Sequence, residues 1–153
     1  MVFNLFLIRK DSMSVPAGER EEGTFTLPIK AEYLARYTIE ITSNENVFLP
    51  KYREKVTDII VAYAIGAYME IRDANDVTVH QNSPNKNREW MRRRAHQERA
   101  IDHCKHLLCM IDLAHRLFHL SGKRVKYWSE LVINVRNRTQ AWMNHDENRY
   151  LSQ

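Results

Sequence analysis

The chain reads as an all-α protein, an up-and-down four-helix bundle. Three observations predict this. Apolar residues recur at three- and four-residue steps through most of the chain after residue 27, strand-like alternation is almost absent, and most joints between helical segments are short. With 153 residues and no glycine/serine linker, low-complexity tract or internal repeat, one domain with one sizeable core is expected.

The first helix is expected over 28–43, where Tyr33, Leu34, Tyr37 and Ile41 give a short apolar stripe. The second opens at Pro50, whose missing N–H and fixed φ suit a first helical position. Val56, Ile60, Tyr63, Ala64, Ala67 and Ile71 then share one face to about residue 74. Asparagine, serine and proline make 75–87 a long loop. The third and longest helix covers 88–120, with Ile101, Cys104, Leu107, Leu108, Ile111, Ala114 and Phe118 on a wide apolar face. Ser121-Gly122 breaks the pattern. Trp128, Leu131, Val132, Val135, Thr139 and Trp142 carry a fourth helix to about residue 146. The organisation is thus an N-terminal arm at 1–24, a bundle at 25–148 and a C-terminal tail at 149–153.

Cys104 and Cys109 lie five apart within one helix and so face different sides, which disfavours a disulfide or zinc knuckle and points to reduced, partly buried thiols. The apolar run Val2-Phe-Asn-Leu-Phe-Leu-Ile8 is too short to span a bilayer and lacks a basic flank or cleavage site, so no membrane association and a cytoplasmic location are expected. An apolar arm of this kind packs on its own bundle or a neighbouring subunit, or docks another protein.

Charge is uneven. Residues 1–48 carry five Lys/Arg against seven Asp/Glu, whereas 49–153 carry eighteen against twelve. Lys86, Arg88, Trp90, Arg92, Arg93 and Arg94 form the densest cluster, cations flanking an indole. Lys123, Arg124 and Lys126 form a second. Such patches fit phosphate backbones, because neutralising each phosphate releases counterions and arginine grips it bidentately. RNA, and DNA as a second possibility, are the implied partners. A plain solvated surface is the ordinary alternative, since three consecutive arginines on a helix point to three sides.

The bundle from about Leu27 to Trp142 resembles the Avd-like four-helix proteins, which comprise the accessory variability determinants of diversity-generating retroelements and proteins encoded in intervening sequences of ribosomal RNA genes. The resemblance rests on Leu27-Pro28-Ile29, on Phe48-Leu49-Pro50-Lys51-Tyr52-Arg53 with one residue inserted, on Leu113-Ala114, Leu120-Ser121, Tyr127 and a closing Trp142. Gln140-Ala141 replaces the family's Gly-Gly pair, and Asp112 stands where an arginine is usual. The resemblance implies a non-enzymatic, cofactor-free protein that assembles as a homopentameric barrel, binds nucleic acid and associates with a reverse transcriptase and its template RNA. Arg53 matches the family's motif arginine. Exposed aromatics such as Tyr52, Tyr63, Tyr68 and Tyr127 also favour self-association.

Rival chemistries are weaker. Arg99 with His106, and Arg138 with His145, have the arginine-to-histidine spacing of the HEPN ribonucleases, in which such a pair contacts and protonates at a scissile phosphate. Ala100 and Thr139 stand where that motif carries a polar residue. Seven histidines among many arginines also produce such spacings by chance. His115 with His119, and His103 with His106, have metal-ligand spacing without a completing carboxylate set, so no metal is expected. No glycine-rich phosphate loop or nucleophile elbow is present, and no catalytic residue is assigned. A stand-alone oligomeric interaction protein without nucleic acid is the remaining alternative. Trp128 and Trp142 fall on the apolar stripe and are expected in the core.

Overall fold

The computed structural model describes residues 26–151, all helix, turn or loop, with no strand among them. The expected N-terminal arm lies outside the described residues.

Helix α1 (Leu27–Thr42) carries Pro28 in its first turn, and the Lys30 N–H closes onto the Thr26 carbonyl at 3.0 Å. Its stripe of Leu27, Ala31, Leu34, Ala35 and Thr38 is buried. The chain then returns through Phe48, whose buried ring meets those of Phe118 at 4.9 Å and Trp128 at 6.2 Å.

Pro50 begins the next helical segment as expected, but a regular α-helix does not follow at once. A tight 3-10 turn (Pro50–Tyr52) passes into a wide five-residue turn (Arg53–Thr57), in which the Asp58 N–H reaches back to the Arg53 carbonyl. Such widened turns place one extra residue per turn. Here Val56 and Thr57 are buried while Arg53, Glu54 and Lys55 stay in solvent. Helix α2 proper is Asp58–Asp76.

Helix α3 (Lys86–Phe118) has 33 residues, about 50 Å at 1.5 Å per residue. His119 ends it in the left-handed conformation at φ 54°. Of the expected Ser121-Gly122 break, Ser121 lies in the 119–121 interruption, whereas Gly122 is the first residue of helix α4 (Gly122–Leu151); the Ser121 hydroxyl accepts the Arg124 N–H at 3.2 Å.

Each helix packs on its sequence neighbours, and α4 closes the bundle against α1. Ring contacts fix the directions. Tyr52 meets Phe118 while Tyr63 meets His103 and His106, so α2 and α3 run antiparallel. Trp90 meets Tyr150 at the far end of the α3–α4 pair. The core of Leu34, Ile60, Ile71, Leu107, Ile111, Trp128 and Val132 is sealed, and Trp142 is 3% exposed, as its stripe requires. Trp128 Nε1 donates to Thr38 Oγ1 at 3.0 Å, satisfying a polar atom that burial would otherwise strand.

Helices α3 and α4 outrun the 16-residue α1, and a second small core forms where they do. Val77 and Val79 of the 77–85 loop pack there with Trp90 and Tyr150. Two expectations change as a result. The loop starts two residues later than expected and is pinned by its valines, and the supposed tail continues as helix to Leu151 because Tyr150 is buried at 2% exposure. Cys104 is buried and Cys109 exposed. No helix among the described residues is long and apolar enough to cross a membrane.

Candidate nucleic-acid interface

The cationic and aromatic residues singled out from the sequence divide into three groups. Arg93 and Trp90 belong to the interior. Arg93 is 1% exposed, its Nη1 lies 3.3 Å from Asp146 Oδ2, its Nη2 donates to the Val77 carbonyl at 2.7 Å, and its guanidinium sits 5.6 Å from the Trp142 ring. Gln97 Nε2 adds a 3.1 Å bond to the same carboxylate. Burial pushes the Asp146 carboxyl up from its ordinary value, against the pull of Arg93. This network ties the loop to α3 and α4, and burial keeps the one donor it does not use, Nε, out of reach of a ligand. Trp90 packs among Val77, Val79 and Tyr150 and is 7% exposed, so only an edge of its ring reaches the surface beside Lys86. Both residues drop out of the expected surface.

A second group reaches solvent at least in part but is committed to acids. Arg53 Nη2 donates to Glu45 Oε1 at 2.7 Å. Arg94 is half-buried and pairs with Glu98 at 3.1 Å and Glu147 at 3.7 Å. The remaining cations, Lys86, Arg88, Arg92, Lys123, Arg124 and Lys126, form no ion pair among the described residues.

These six do not make one site. Lys86, Arg88 and Arg92 stand at the start of α3, and Lys123, Arg124 and Lys126 stand just past its other end, about 50 Å away by helical rise. Arg53 shares the second end, since the neighbouring Tyr52 ring is 5.8 Å from Phe118.

At that second end the structure adds three tyrosines. Tyr33 and Tyr127 share a 2.8 Å hydrogen bond between their hydroxyls and are 39% and 43% exposed. Tyr37 stacks beside Tyr33 at 6.3 Å and meets Tyr127 edge-on at 5.2 Å. Arg36 lies 5.7 Å from the Tyr33 centroid. Burial raises the Tyr37 hydroxyl pKa, and the neighbouring Arg124 pulls the other way. In the sequence, Tyr33 and Tyr37 register only as part of an apolar stripe. The available signal was that the two aromatics of α1, Tyr33 and Tyr37, stand four apart beside Arg36, on the edge of the stripe rather than its centre.

No known protein family, curated protein or solved structure matches this chain. The Avd-like resemblance therefore stands on the residues that carry it.

The paired residues of the ribonuclease reading sit apart from these clusters. Arg99 Nε donates to Glu70 Oε1 at 3.0 Å, and Arg99 Nη2 lies 2.9 Å from His96 Nδ1. His106 lies against the Tyr63 ring at 5.3 Å. Arg138 donates to Asn134 at 2.8 Å. Glu70 is partly desolvated, which raises its pKa, but the hydrogen bonds from His96 and Arg99 outweigh this and hold it below the ordinary value. The Arg99 guanidinium is thus already held by a carboxylate, whereas that of Arg138 donates to an amide oxygen.

Proposed function

We propose that the protein is a non-enzymatic, nucleic-acid-binding accessory factor of the diversity-generating-retroelement kind, acting as a homo-oligomer with a reverse transcriptase and its template RNA. The observation that carries the nucleic-acid part is the end of the bundle where Lys123, Arg124 and Lys126, none paired with an acid among the described residues, stand beside Tyr33, Tyr37 and Tyr127. Unpaired cations supply phosphate contacts, and exposed rings supply stacking faces, the combination that single-stranded nucleic acid requires. The reverse transcriptase and the pentameric state follow from the Avd-like resemblance. Self-association is further supported by Ile65 and Met69, neighbours on one face of α2 and 39% and 50% exposed.

The test is RNA binding by fluorescence anisotropy across a salt series. Replacing Lys123, Arg124 and Lys126 with Ala together should weaken binding and lower the slope of log K against log salt by about 2, at about 0.7 for each phosphate no longer neutralised. An unchanged slope refutes this interface. Co-purification from the native locus tests the partners: a reverse transcriptase with a defined RNA supports the accessory role, and a clean oligomer alone refutes it.

A further inference from the structure

One cluster of titratable groups lies outside that interface, in the groove between α2 and α3. Glu70 and Asp73 stand one turn apart on α2, and His96 faces them from α3. One donor atom from each of the three falls within 4.8 Å of the others. A metal that holds three such ligands tetrahedrally at about 2.0–2.2 Å sets their atoms about 3.3–3.6 Å apart. The widest separation in the cluster therefore has to close by at most about 1.5 Å, a movement within the reach of side-chain rotation. His96 Nδ1 and Glu70 Oε2, hydrogen-bonded at 2.6 Å, would open by about an ångström as the ion takes the place of the proton between them. The Asp73 carboxylate makes no hydrogen bond or ion pair among the described residues.

We propose that Glu70, Asp73 and His96 form a binding site for one divalent transition-metal ion of the zinc, cobalt or nickel class. Two carboxylates and an imidazole suit these ions. Magnesium and calcium are disfavoured, because they take six or more oxygen ligands and the site offers an imidazole in place of one. The remaining coordination positions would be filled by water.

Arg99 is the competitor. Its guanidinium neutralises Glu70 at 3.0 Å, but its side chain is 51% exposed against 19% for Glu70. It can turn into solvent with little loss, and a dication then replaces it. His103, two turns further along α3, lies against Gly66 and Tyr63 instead and is too distant to ligate the same ion.

The experiment titrates the untagged, chelator-stripped full chain with Co2+ and Zn2+, read by calorimetry and by the visible absorption of bound Co2+. One ion per chain is expected. His96→Gln and Asp73→Asn should each weaken binding by about tenfold or more, since even loss of an outer partner costs about 10–100-fold. Asp73→Asn breaks no hydrogen bond or ion pair of the fold, so it reports on the site even where His96→Gln destabilises the protein. Arg99→Ala should tighten binding, and His115→Ala with His119→Ala should leave it unchanged. No saturable binding, binding indifferent to His96→Gln and Asp73→Asn, or binding abolished only with His115 and His119 overturns the assignment. Affinity no tighter in Arg99→Ala overturns the competing role given to Arg99.

Discussion

Arg93 and Asp146 meet across the α3–α4 interface at 3.3 Å with side chains 1% and 3% exposed. A buried pair of this kind is weak evidence for stability but strong evidence for interdependence. Removing one partner leaves an uncompensated charge, at about 3–5 kcal/mol. We predict losses of that size by urea denaturation for Arg93→Met or Asp146→Leu alone. The double variant should recover most of the loss, because two apolar side chains replace the pair. A double variant as unstable as the sum of the singles would mean that the pair is not the relevant interaction.

That pair also marks the limit of what the sequence alone could reveal. Helix identity was legible because Ile60, Ala64, Ala67 and Ile71, and later Trp128, Val132, Val135 and Trp142, recur at helical steps and nothing in their surroundings overrides them. Arg93 was not legible. Among Arg92, Arg93 and Arg94 only rotation about the helix decides which is inside, and the deciding partner, Asp146, is 53 residues away. One hint existed: Asp146 continues the stripe of Thr139 and Trp142, and an acid on an apolar stripe implies a buried cation. The end of α4 was missed for a related reason, since Tyr150 is inside only because the loop valines and Trp90 extend the core beyond α1.

The tyrosine surface makes a prediction separate from the lysine substitutions. Tyr127→Ala should cost about 1–3 kcal/mol of single-stranded RNA affinity if a base stacks there. Tyr127→Phe keeps the ring, loses only the bond to Tyr33, and should bind like the wild type. Equal affinities for all three proteins in a competition assay would assign Tyr127 to packing between α1 and α4.

The two thiols should separate cleanly. Burial pushes the Cys104 thiol up to about 12, whereas Cys109 is exposed on the opposite side of the same helix. The thiolate is the reacting species. A disulfide reagent should therefore titrate one thiol per chain in the native protein, absent in Cys109→Ser, and a second only on denaturation. Rapid reaction of both would show that α3 opens readily around Cys104.

Glu70 predicts an acid-sensitive contribution to stability. Its folded pKa is depressed by His96 and Arg99, so its contribution is fully present above the unfolded carboxylate value of about 4.3. That contribution is lost as pH falls through the lower folded value. Stability curves measured between neutral pH and pH 3 should fall less steeply at the acid end in Glu70→Gln than in the wild type. Parallel curves would mean that the groove contacts persist after protonation.

The turn between α3 and α4 offers the sharpest contrast between composition and conformation, because a glycine stands close to it but does not make it. Gly122 is helical, has no positive φ, and a Cβ built there meets nothing within 4 Å. The left-handed position is His119, and a side chain there carries a steric cost of about 1–2 kcal/mol that glycine avoids. Gly122→Ala should therefore be neutral or stabilising, since it reduces the freedom of the unfolded chain at a position with open space. His119→Gly should also raise the melting temperature, whereas His119→Val, β-branched in a left-handed position, should lower it. Thermal melts of the three variants check the assignment. A large loss in Gly122→Ala with no response to either change at His119 would return the turn to the glycine.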